Sequence, residues 1–222
     1  MDWQSTQNQE YLTLLGRRLN EPRLMWVDQF AGIINDWVKA ESNKKNSTSN
    51  ILINDFGCNV GHFYRGIQVI NGVVDYCGYD ISETYLEIAR KHFPEAVFLN
   101  FDISGQAAPR AVDITVISAT LEHIDNHQSA IKHIFDTSKH LVIMRTFIGE
   151  SYVCDSCLTD GASDEYLIKQ FAIDDLTLYP KEVGWDACLV TDNATQGKPK
   201  FVCNGLTVVR SQQIIVFTRN EK

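Results

Sequence analysis

An acidic residue and two glycines close an apolar run in the stretch NDFGCNVGHF, residues 54–63. Gly57 and Gly61 bracket a short turn, and Asp55 stands just before the first glycine. Glycines between a strand and a helix let main-chain amides approach a ligand closely. The next apolar run ends at Asp80, about 20 residues after Gly57, a spacing at which a carboxylate can accept hydrogen bonds from a ribose. The pattern therefore predicts an adenosine-like ligand across the strand ends.

The glycine turn does not fit a pyrophosphate. The pyrophosphate fingerprint has glycines at its first, third and sixth positions, and here Asn59 and His62 occupy the third and sixth. Asp55 would also place a negative charge beside a phosphate, whereas it would favour a cation. A sulfonium ligand with an amino-acid tail satisfies both points, and we expect a ligand of this kind.

Strand and helix patterns alternate after residue 50. The strand-like runs are ILINDF, VVDYCGYD, AVFLNFD, AVDITVIS and HLVIMRTF, and the helix-like runs are GHFYRGIQVI, SETYLEIARKHF and NHQSAIKHIFDTSK. Such alternation predicts parallel strands with helices on both faces of the sheet. Further along, YLIKQFAIDDLTLYPKEVGW is mostly helical in pattern, and the last two strand-like runs, WDACLVTDN and QQIIVFTRN, have no helix between them. We therefore predict an α/β fold with a doubly wound, mostly parallel seven-stranded sheet and an antiparallel C-terminal hairpin.

The N-terminal part of the chain has a different pattern. Residues 8–40 predict two helices, the second with apolar residues at helical spacing. Residues 41–50, ESNKKNSTSN, are polar and predict a linker. We therefore expect a helical cap or extension over residues 1–48 and the α/β domain over residues 49–222.

Several motifs resemble those of the class I S-adenosylmethionine-dependent methyltransferases. DFGCNVGHF is similar to the first motif of that family, with asparagine in place of one glycine, and YCGYDIS resembles its acidic second-strand motif. FLNFDIS and VDITVISATLEHIDN are similar to the third- and fourth-strand motifs, and residues 166–190 resemble the closing helix and sixth strand. The resemblance covers about residues 50–220 and implies a Rossmann-like domain that uses S-adenosylmethionine for methyl transfer.

The resemblance also implies a set of cofactor-binding residues at the strand ends. They are Asp55, Gly57, Cys58, Asn59, Gly61, Asp80, Ile81, Asp102, Ile103, Ala119, Thr120 and Leu121. By position in the motifs, Asp55 and Gly57 would face the methionine part of the cofactor. Cys58, Asn59 and Gly61 would form the turn under it. Asp80 would hold the ribose hydroxyls and Ile81 would pack on the adenine, while Asp102 and Ile103 would bind and flank the adenine. The last three would line the other side of the cofactor.

His123 is the candidate catalytic residue, because the resemblance places it beside the substrate opening. A histidine could act as a general base if the acceptor must lose a proton. Glu122 and Asp125 are weaker candidates for the same role. The alternative is that His123 only shapes the turn, and many members of the family carry this histidine without using it as a base.

Other residues are candidates for contact with the substrate or for ligation of a metal ion. In similar proteins, N-terminal helices and the insert after the fifth strand cover the pocket. The candidate substrate contacts in this chain are therefore Tyr11, Trp26, Arg145, Tyr152 and Tyr166. A metal site at His123 and His127 is a weak alternative. A zinc site at Cys154 and Cys157 with Cys188 and Cys203 lacks a second close pair of cysteines. We therefore predict no metal.

Composition narrows the class of partner. The formal net charge of −8 argues against nucleic acid, which usually binds a basic surface. The six dispersed cysteines predict free thiols in a reducing compartment. No apolar run reaches the length of a membrane helix, and the polar N-terminus does not resemble a signal peptide. We expect a cytoplasmic protein with a small-molecule acceptor, and the sequence leaves a homodimer open.

Two other function classes remain. A non-catalytic protein that binds S-adenosylmethionine would share every cofactor motif. A nicotinamide-dependent oxidoreductase would share the glycine turn and Asp80, but it would favour the full glycine fingerprint and no antiparallel pair of strands at the C-terminus.

Overall fold

The computed structural model describes residues 9–44, 50–158, 165–201 and 209–220. The helices are α1 (Gln9–Arg18), α2 (Met25–Lys44), α3 (Tyr64–Ile67), α4 (Glu83–His92), α5 (His127–Thr137) and α6 (Ile173–Glu182). The strands are β1 (Ile51–Phe56), β2 (Val74–Asp80), β3 (Val97–Asn100), β4 (Val112–Ser118), β5 (Ser138–Phe147), β6 (Val153–Leu158), β7 (Glu165–Gln170), β8 (Trp185–Thr191), β9 (Lys200–Phe201), β10 (Val209–Arg210) and β11 (Gln212–Arg219). A 3₁₀ turn, Leu121–His123, follows β4.

Seven strands form the central sheet in the order β3-β2-β1-β4-β5-β11-β8. The five strands from β3 to β5 pair in parallel. Strand β11 runs antiparallel to both β5 and β8, and β8 forms the edge of the sheet. The predicted fold class is therefore confirmed, including the antiparallel pair at the C-terminus.

Apolar side chains fill both faces of the sheet. One core cluster joins α1, α2 and α4 to one face through residues such as Leu15, Phe30 and Leu86. The other joins α5 and α6 to the opposite face through residues such as Ile134 and Leu176. Burial on both faces is what a doubly wound parallel sheet requires.

The N-terminal helices pack on the same core as the sheet. In α2, the apolar stripe predicted from sequence is buried at Val27, Phe30 and Ile34. In α1, Leu15 and Leu19 are 2% and 4% exposed. Helix α2 runs on to Lys44, four residues into the segment that we expected to be a linker. The division at residue 48 stays a prediction, and the packing shows only that both helices share the core of the sheet.

Two local predictions were wrong. The run GHFYRGIQVI forms turns and a short helix, α3, of four residues. At Gly66 a Cβ atom would come 2.7 Å from Cγ1 of Val27, so the chain approaches α2 closely there. Residues 165–170, which we expected to be helical, form strand β7 paired antiparallel with β6. This pairing is a tertiary contact that overrides the local helical pattern.

Candidate functional site

Three parallel strands end side by side at one edge of the sheet. Phe56, at the end of β1, is the register partner of Tyr79 in β2 and of Ile117 in β4. The residues that follow these positions therefore meet at the same edge, and they include Gly57, Asp80 and the β4–α5 loop. Open α/β sheets bind ligands at this edge, outside the carboxyl ends of the strands.

The turn after β1 needs three left-handed backbone conformations. Gly57 has φ +70°, Asn59 has φ +52° and Gly61 has φ +88°. Asparagine is one of the few residues other than glycine that tolerate this region, which explains Asn59 in a position where the family motif has glycine. The amides of Gly57 and Cys58 both donate to the carbonyl of Tyr79, at 2.8 and 3.0 Å. The turn is thus fastened to the end of β2.

Gly57 is closely covered by the loop after β4. A Cβ atom on Gly57 would lie 2.0 Å from Oγ1 of Thr120, whose hydroxyl donates to the carbonyl of Ser118 at 3.1 Å. Ala119 has φ +52°, an uncommon conformation for alanine that costs conformational energy. Gly57 and Thr120 are therefore in close contact, and the cofactor-binding role expected for Gly57, Ala119 and Thr120 stays a prediction.

Asp55 is a buried carboxylate in β1, two residues before Gly57. It is 4% exposed, and the hydroxyl of Tyr76 donates to its Oδ2 at 2.8 Å. Burial raises the pKa of Asp55 to about 7; the Tyr76 hydrogen bond opposes the rise and the Asp80 carboxylate adds to it. A cation near Asp55 would stabilise its ionised form.

Asp80 connects the glycine turn to the start of α4. Its Oδ2 accepts from the amide of Asn59 and its Oδ1 from the amide of Ser82, both at 2.9 Å. Burial raises the pKa of Asp80, and these amide hydrogen bonds lower it. Each carboxylate oxygen has a second lone pair, so Asp80 can accept further hydrogen bonds while it holds the turn.

The residues expected around the adenine lie at the ends of β2 and β3. Ile81 is 40% exposed, and an exposed apolar side chain beside the cleft suits a flat ligand. Ile103 is buried, and its carbonyl accepts from Nδ1 of His133 at 2.7 Å. Asp102 is exposed, and its Oδ1 accepts from the amide and hydroxyl of Ser104.

The β4–α5 loop is fixed on one side of His123 by a buried glutamate. Glu122 is fully buried, and the hydroxyl of Thr146 on β5 donates to its Oε2 at 2.8 Å. This burial makes Glu122 unsuited to the role of solvent-accessible base that we considered. The amide of His123 donates to the carbonyl of Thr120 at 3.0 Å, and the residue is half-buried.

A lysine from the β6–β7 hairpin fixes the other side of His123. Lys169 is 2% exposed, and its ammonium group donates to the carbonyl of Asp125 at 2.9 Å and to the carbonyl of Ile124. Burial lowers the pKa of Lys169, while Cys154 and Asp125 raise it. The sequence contained no signal for this contact, because we expected residue 169 to lie in a helix and the contact depends on the hairpin pairing.

The candidate substrate residues fall into separate groups. Trp26 lies with its ring centroid 6.0 Å from the Arg145 guanidinium, which donates to Asp192 at 3.1 Å. Arg145 is buried and therefore joins β5 to the turn after β8. Tyr152 is exposed and stacks on His127 at 5.7 Å, whereas Tyr11 is exposed on α1. The side chain of Tyr166 lies outside the described part of the chain.

The structure also bears on the metal alternatives. Within the described ranges no three His, Cys, Asp or Glu side chains are grouped as a metal would need. Cys154 is exposed, and the side chain of Cys157 lies outside the described part of the chain. Cys188 is exposed, and Cys203 lies outside the described residues. Among the described helices, none is long and apolar enough to cross a membrane.

Comparison with known proteins agrees with this geometry. Residues 54–140 match the model of a methyltransferase domain family. DesVI of Streptomyces venezuelae shares 14% identity over 95% of this chain and 97% of its own, with a TM-score of 0.63. CalS10 of Micromonospora echinaspora, an amino pentose methyltransferase solved with S-adenosylmethionine, shares 13% identity over 96% and 98% of the chains, with a TM-score of 0.63. Magnesium protoporphyrin IX methyltransferase of Synechocystis PCC 6803, also with S-adenosylmethionine bound, shares 16% identity over 87% and 79%, with a TM-score of 0.55. No curated protein matches the chain in sequence.

Proposed function

We propose that the chain transfers a methyl group from S-adenosylmethionine to an oxygen or nitrogen atom of a small molecule, since residues 54–140 match a methyltransferase domain family and the fold resembles that of solved methyltransferases. The observation that carries this proposal is the glycine turn with the buried Asp55 at the end of β1 just before it. A buried carboxylate that is half-protonated near pH 7 is poised to gain a cationic ligand, and it would repel a phosphate.

The cofactor would lie across the ends of β1, β2 and β4. In this proposal Asp55 and the turn from Gly57 to Gly61 face its methionine part, with Cys58 and Asn59 between the glycines. Asp80 accepts from the ribose hydroxyls, and the exposed side chain of Ile81 packs on the adenine.

The remaining contacts would come from the loops after β3 and β4. Asp102 and Ile103 flank the adenine, and Ala119, Thr120 and Leu121 close the other side of the cleft. Thr120 and Gly57 are in close contact, which supports assigning both to the same cofactor site.

When bound, the cofactor supplies an electrophilic methyl group on a sulfonium. The acceptor lone pair forms the new bond to the methyl carbon while the carbon–sulfur bond breaks, and the bonding electrons remain on sulfur. The chain contributes mainly by holding the acceptor in line with that bond, which can lower the barrier by several kcal/mol. The anchored β4–α5 loop is the element that would position the acceptor.

His123 is the base that this cleft offers to an acceptor that loses a proton. It is half-buried between two anchored neighbours, which fix the backbone of the loop on either side of it. A general base contributes about 10²- to 10⁴-fold in rate. If the acceptor must lose a proton and His123 takes it, His123→Ala should lower turnover at least about a hundredfold with cofactor affinity unchanged. A lower melting temperature with turnover retained would assign His123 a purely structural role.

A small molecule is the expected acceptor class. The acidic balance of the chain supports it, and so does the likeness in fold to an amino pentose methyltransferase. Free Cys58, Cys77, Cys154 and Cys188 support a reducing, cytoplasmic location.

Calorimetry with S-adenosylhomocysteine and with NAD tests the proposal. We expect micromolar binding of the first and poor binding of the second, and tighter binding of NAD would overturn it. Methyl transfer is then measured as S-adenosylhomocysteine released with candidate acceptors. Cofactor binding without release in the presence of the native acceptor would identify a non-catalytic binding protein.

A further inference from the structure

Strand β8 forms one edge of the central sheet, and its main-chain groups alternate in direction. The amide of Asn220 donates to the carbonyl of Gly184 at 3.0 Å, one step beyond the register pair of Trp185 and Arg219. Because hydrogen-bonded and non-hydrogen-bonded pairs alternate in an antiparallel ladder, every second residue after Gly184 bonds to β11. The residues between them direct N–H and C=O away from the sheet, and these are Trp185, Ala187, Leu189 and Thr191.

The middle of this edge is open. The side-chain amide of Gln29 donates to the carbonyl of Thr191 at 2.8 Å, which confirms the outward direction and closes one end of the edge. Ala187 and Leu189 are both exposed, Leu189 by 53%. Within the described part of the chain, the outward groups of these two residues have only a weak contact of 3.9 Å, from the Cys188 thiol to the Leu189 carbonyl.

The opposite edge of the sheet is protected. Strand β3 has four residues, and the carbonyl of Phe98 accepts from Nε and Nη2 of Arg90 at 3.1 and 2.9 Å. Proteins commonly protect edge strands by shortness, bulges, proline or lysine. Strand β8 has seven residues in continuous register and contains neither proline nor lysine. Of the two edges, β8 is therefore the one that can accept a further strand.

We propose that β8 pairs antiparallel with β8 of a second copy of this chain, about a twofold axis at Cys188. In this pairing Ala187 of each copy lies opposite Leu189 of the other, so outward N–H groups meet outward C=O groups. Asp186 is the charged residue of β8 and lies opposite Val190 of the other copy, so no like charges face each other. The edge is thus complementary to itself, which favours a second copy over a strand of another protein. The inference does not depend on the proposed methyl transfer.

The register of this pairing predicts a short distance between two thiols. Cys188 is exposed and has a free thiol, and it faces Cys188 of the other copy in a non-hydrogen-bonded pair. The Cα atoms of such pairs are about 4.5 Å apart, within the range that a disulfide spans. Cross-linking at Cys188 therefore reports the register.

The pairing also fixes the relation of the two clefts. Strands β5 and β8 both run antiparallel to β11, and hence in the same direction. Antiparallel pairing of the two β8 strands places the two clefts at opposite edges of the joined sheet, where each stays open. Calorimetry should therefore give equal affinities for S-adenosylhomocysteine in the wild type and in a folded monomeric variant, and a loss of affinity in that variant would overturn this arrangement.

Sedimentation equilibrium of the reduced chain tests the interface, and the wild type should be a dimer. Leu189→Pro removes one outward N–H from each copy without removing a bond to β11, and it should raise the dissociation constant of the dimer about tenfold or more. Leu189→Lys places a lysine in the edge and should act in the same direction. Leu99→Lys makes the same exchange at an exposed position of β3. It is the matched control and should leave the dimer intact.

Cross-linking with diamide tests the register, because diamide accepts the two thiol hydrogens as the disulfide forms. The wild type and Cys154→Ser should give a covalent dimer, whereas Cys188→Ser should not, although it should still sediment as a dimer. A monomeric wild type, or equal dissociation of Leu99→Lys and Leu189→Lys, would overturn the proposal. So would a wild type that gives no covalent dimer, or a covalent dimer that persists in Cys188→Ser. Melting curves confirm that the variants fold, and if the Leu189 variants do not, the cross-linking still gives the answer.

Discussion

Binding of the cofactor should be linked to ionisation of Asp55. The free protein holds this carboxyl with a pKa of about 7 because it is buried. A cationic ligand beside it requires the ionised form and lowers its pKa in the complex. Below pH 7, binding must therefore release a proton, and affinity should fall as the pH falls.

The size of the effect follows from the linkage relation. If Asp55 has a pKa near 7 in the free protein and below about 4 in the complex, the dissociation constant rises about 90-fold between pH 8 and pH 5, or about 2.7 kcal/mol. Neither the ammonium nor the carboxylate of S-adenosylhomocysteine changes its ionisation in this range. The slope should therefore come from the protein.

Calorimetry in buffers of different ionisation enthalpy measures both the affinity and the protons released. Asp55→Asn should flatten the pH profile, and Tyr76→Phe should move its midpoint to higher pH, because the Tyr76 hydroxyl now holds the pKa down. A dissociation constant that stays flat from pH 5 to 8 would refute the reasoning. So would an equally steep profile in Asp55→Asn, which would assign the proton to another group.

Stability of the free protein should depend on pH with the opposite sign. A carboxyl with a folded-state pKa above its ordinary value of 3.8 stabilises the fold most below that value. This contribution is lost as the pH rises through about 7. The melting temperature of the free protein should therefore fall from pH 5 to pH 8 relative to that of Asp55→Asn, and parallel profiles would contradict the raised pKa.

Three further perturbations test the site. Gly57→Ala should lower both cofactor affinity and melting temperature, because the new Cβ meets Thr120 at 2.0 Å and alanine is strained at φ +70° by about 1–2 kcal/mol. An unchanged dissociation constant and an unchanged melting temperature would show that the loop moves freely. Asp80→Ala should weaken cofactor binding by about 1.5–3 kcal/mol, and Asp80→Asn, which keeps one acceptor oxygen, should lose less binding free energy. Equal losses in the two variants would mean that Asp80 acts through its charge alone. Lys169→Met should selectively speed amide hydrogen exchange in residues 119–126, whereas Lys169→Arg should retain the protection. A uniform rise in the exchange rate across the chain would mean general destabilisation.

The fold was predictable because its signals are local. The strand-like runs that form β1, β2, β4 and β5 and the periodic apolar stripe of α2 each predict an element without reference to the rest of the chain. The residues at the strand ends follow from the same patterns, because a parallel sheet places the residues after β1, β2 and β4 together. Asp80, Gly57 and Thr120 meet in this way.

The missed features depend on contacts between distant parts of the chain. Strand β7 exists because it pairs with β6, and Lys169 reaches the β4–α5 loop only through that pairing. Likewise, the burial of Glu122 depends on Thr146 in another strand. Sequence patterns therefore predicted which strand ends meet but not which buried polar groups fix the loops there.

The hairpin lysine has a consequence for altering acceptor choice. Loops inserted after the fifth strand are natural units to exchange when a methyltransferase is redesigned for a new acceptor. Here such an exchange would remove the ammonium group that holds the carbonyls of Ile124 and Asp125, and the His123 loop would relax together with the pocket wall. A successful transplant must keep a buried donor at position 169. In the proposed function, the hairpin that would contact the acceptor and the loop that carries His123 are thus coupled through Lys169.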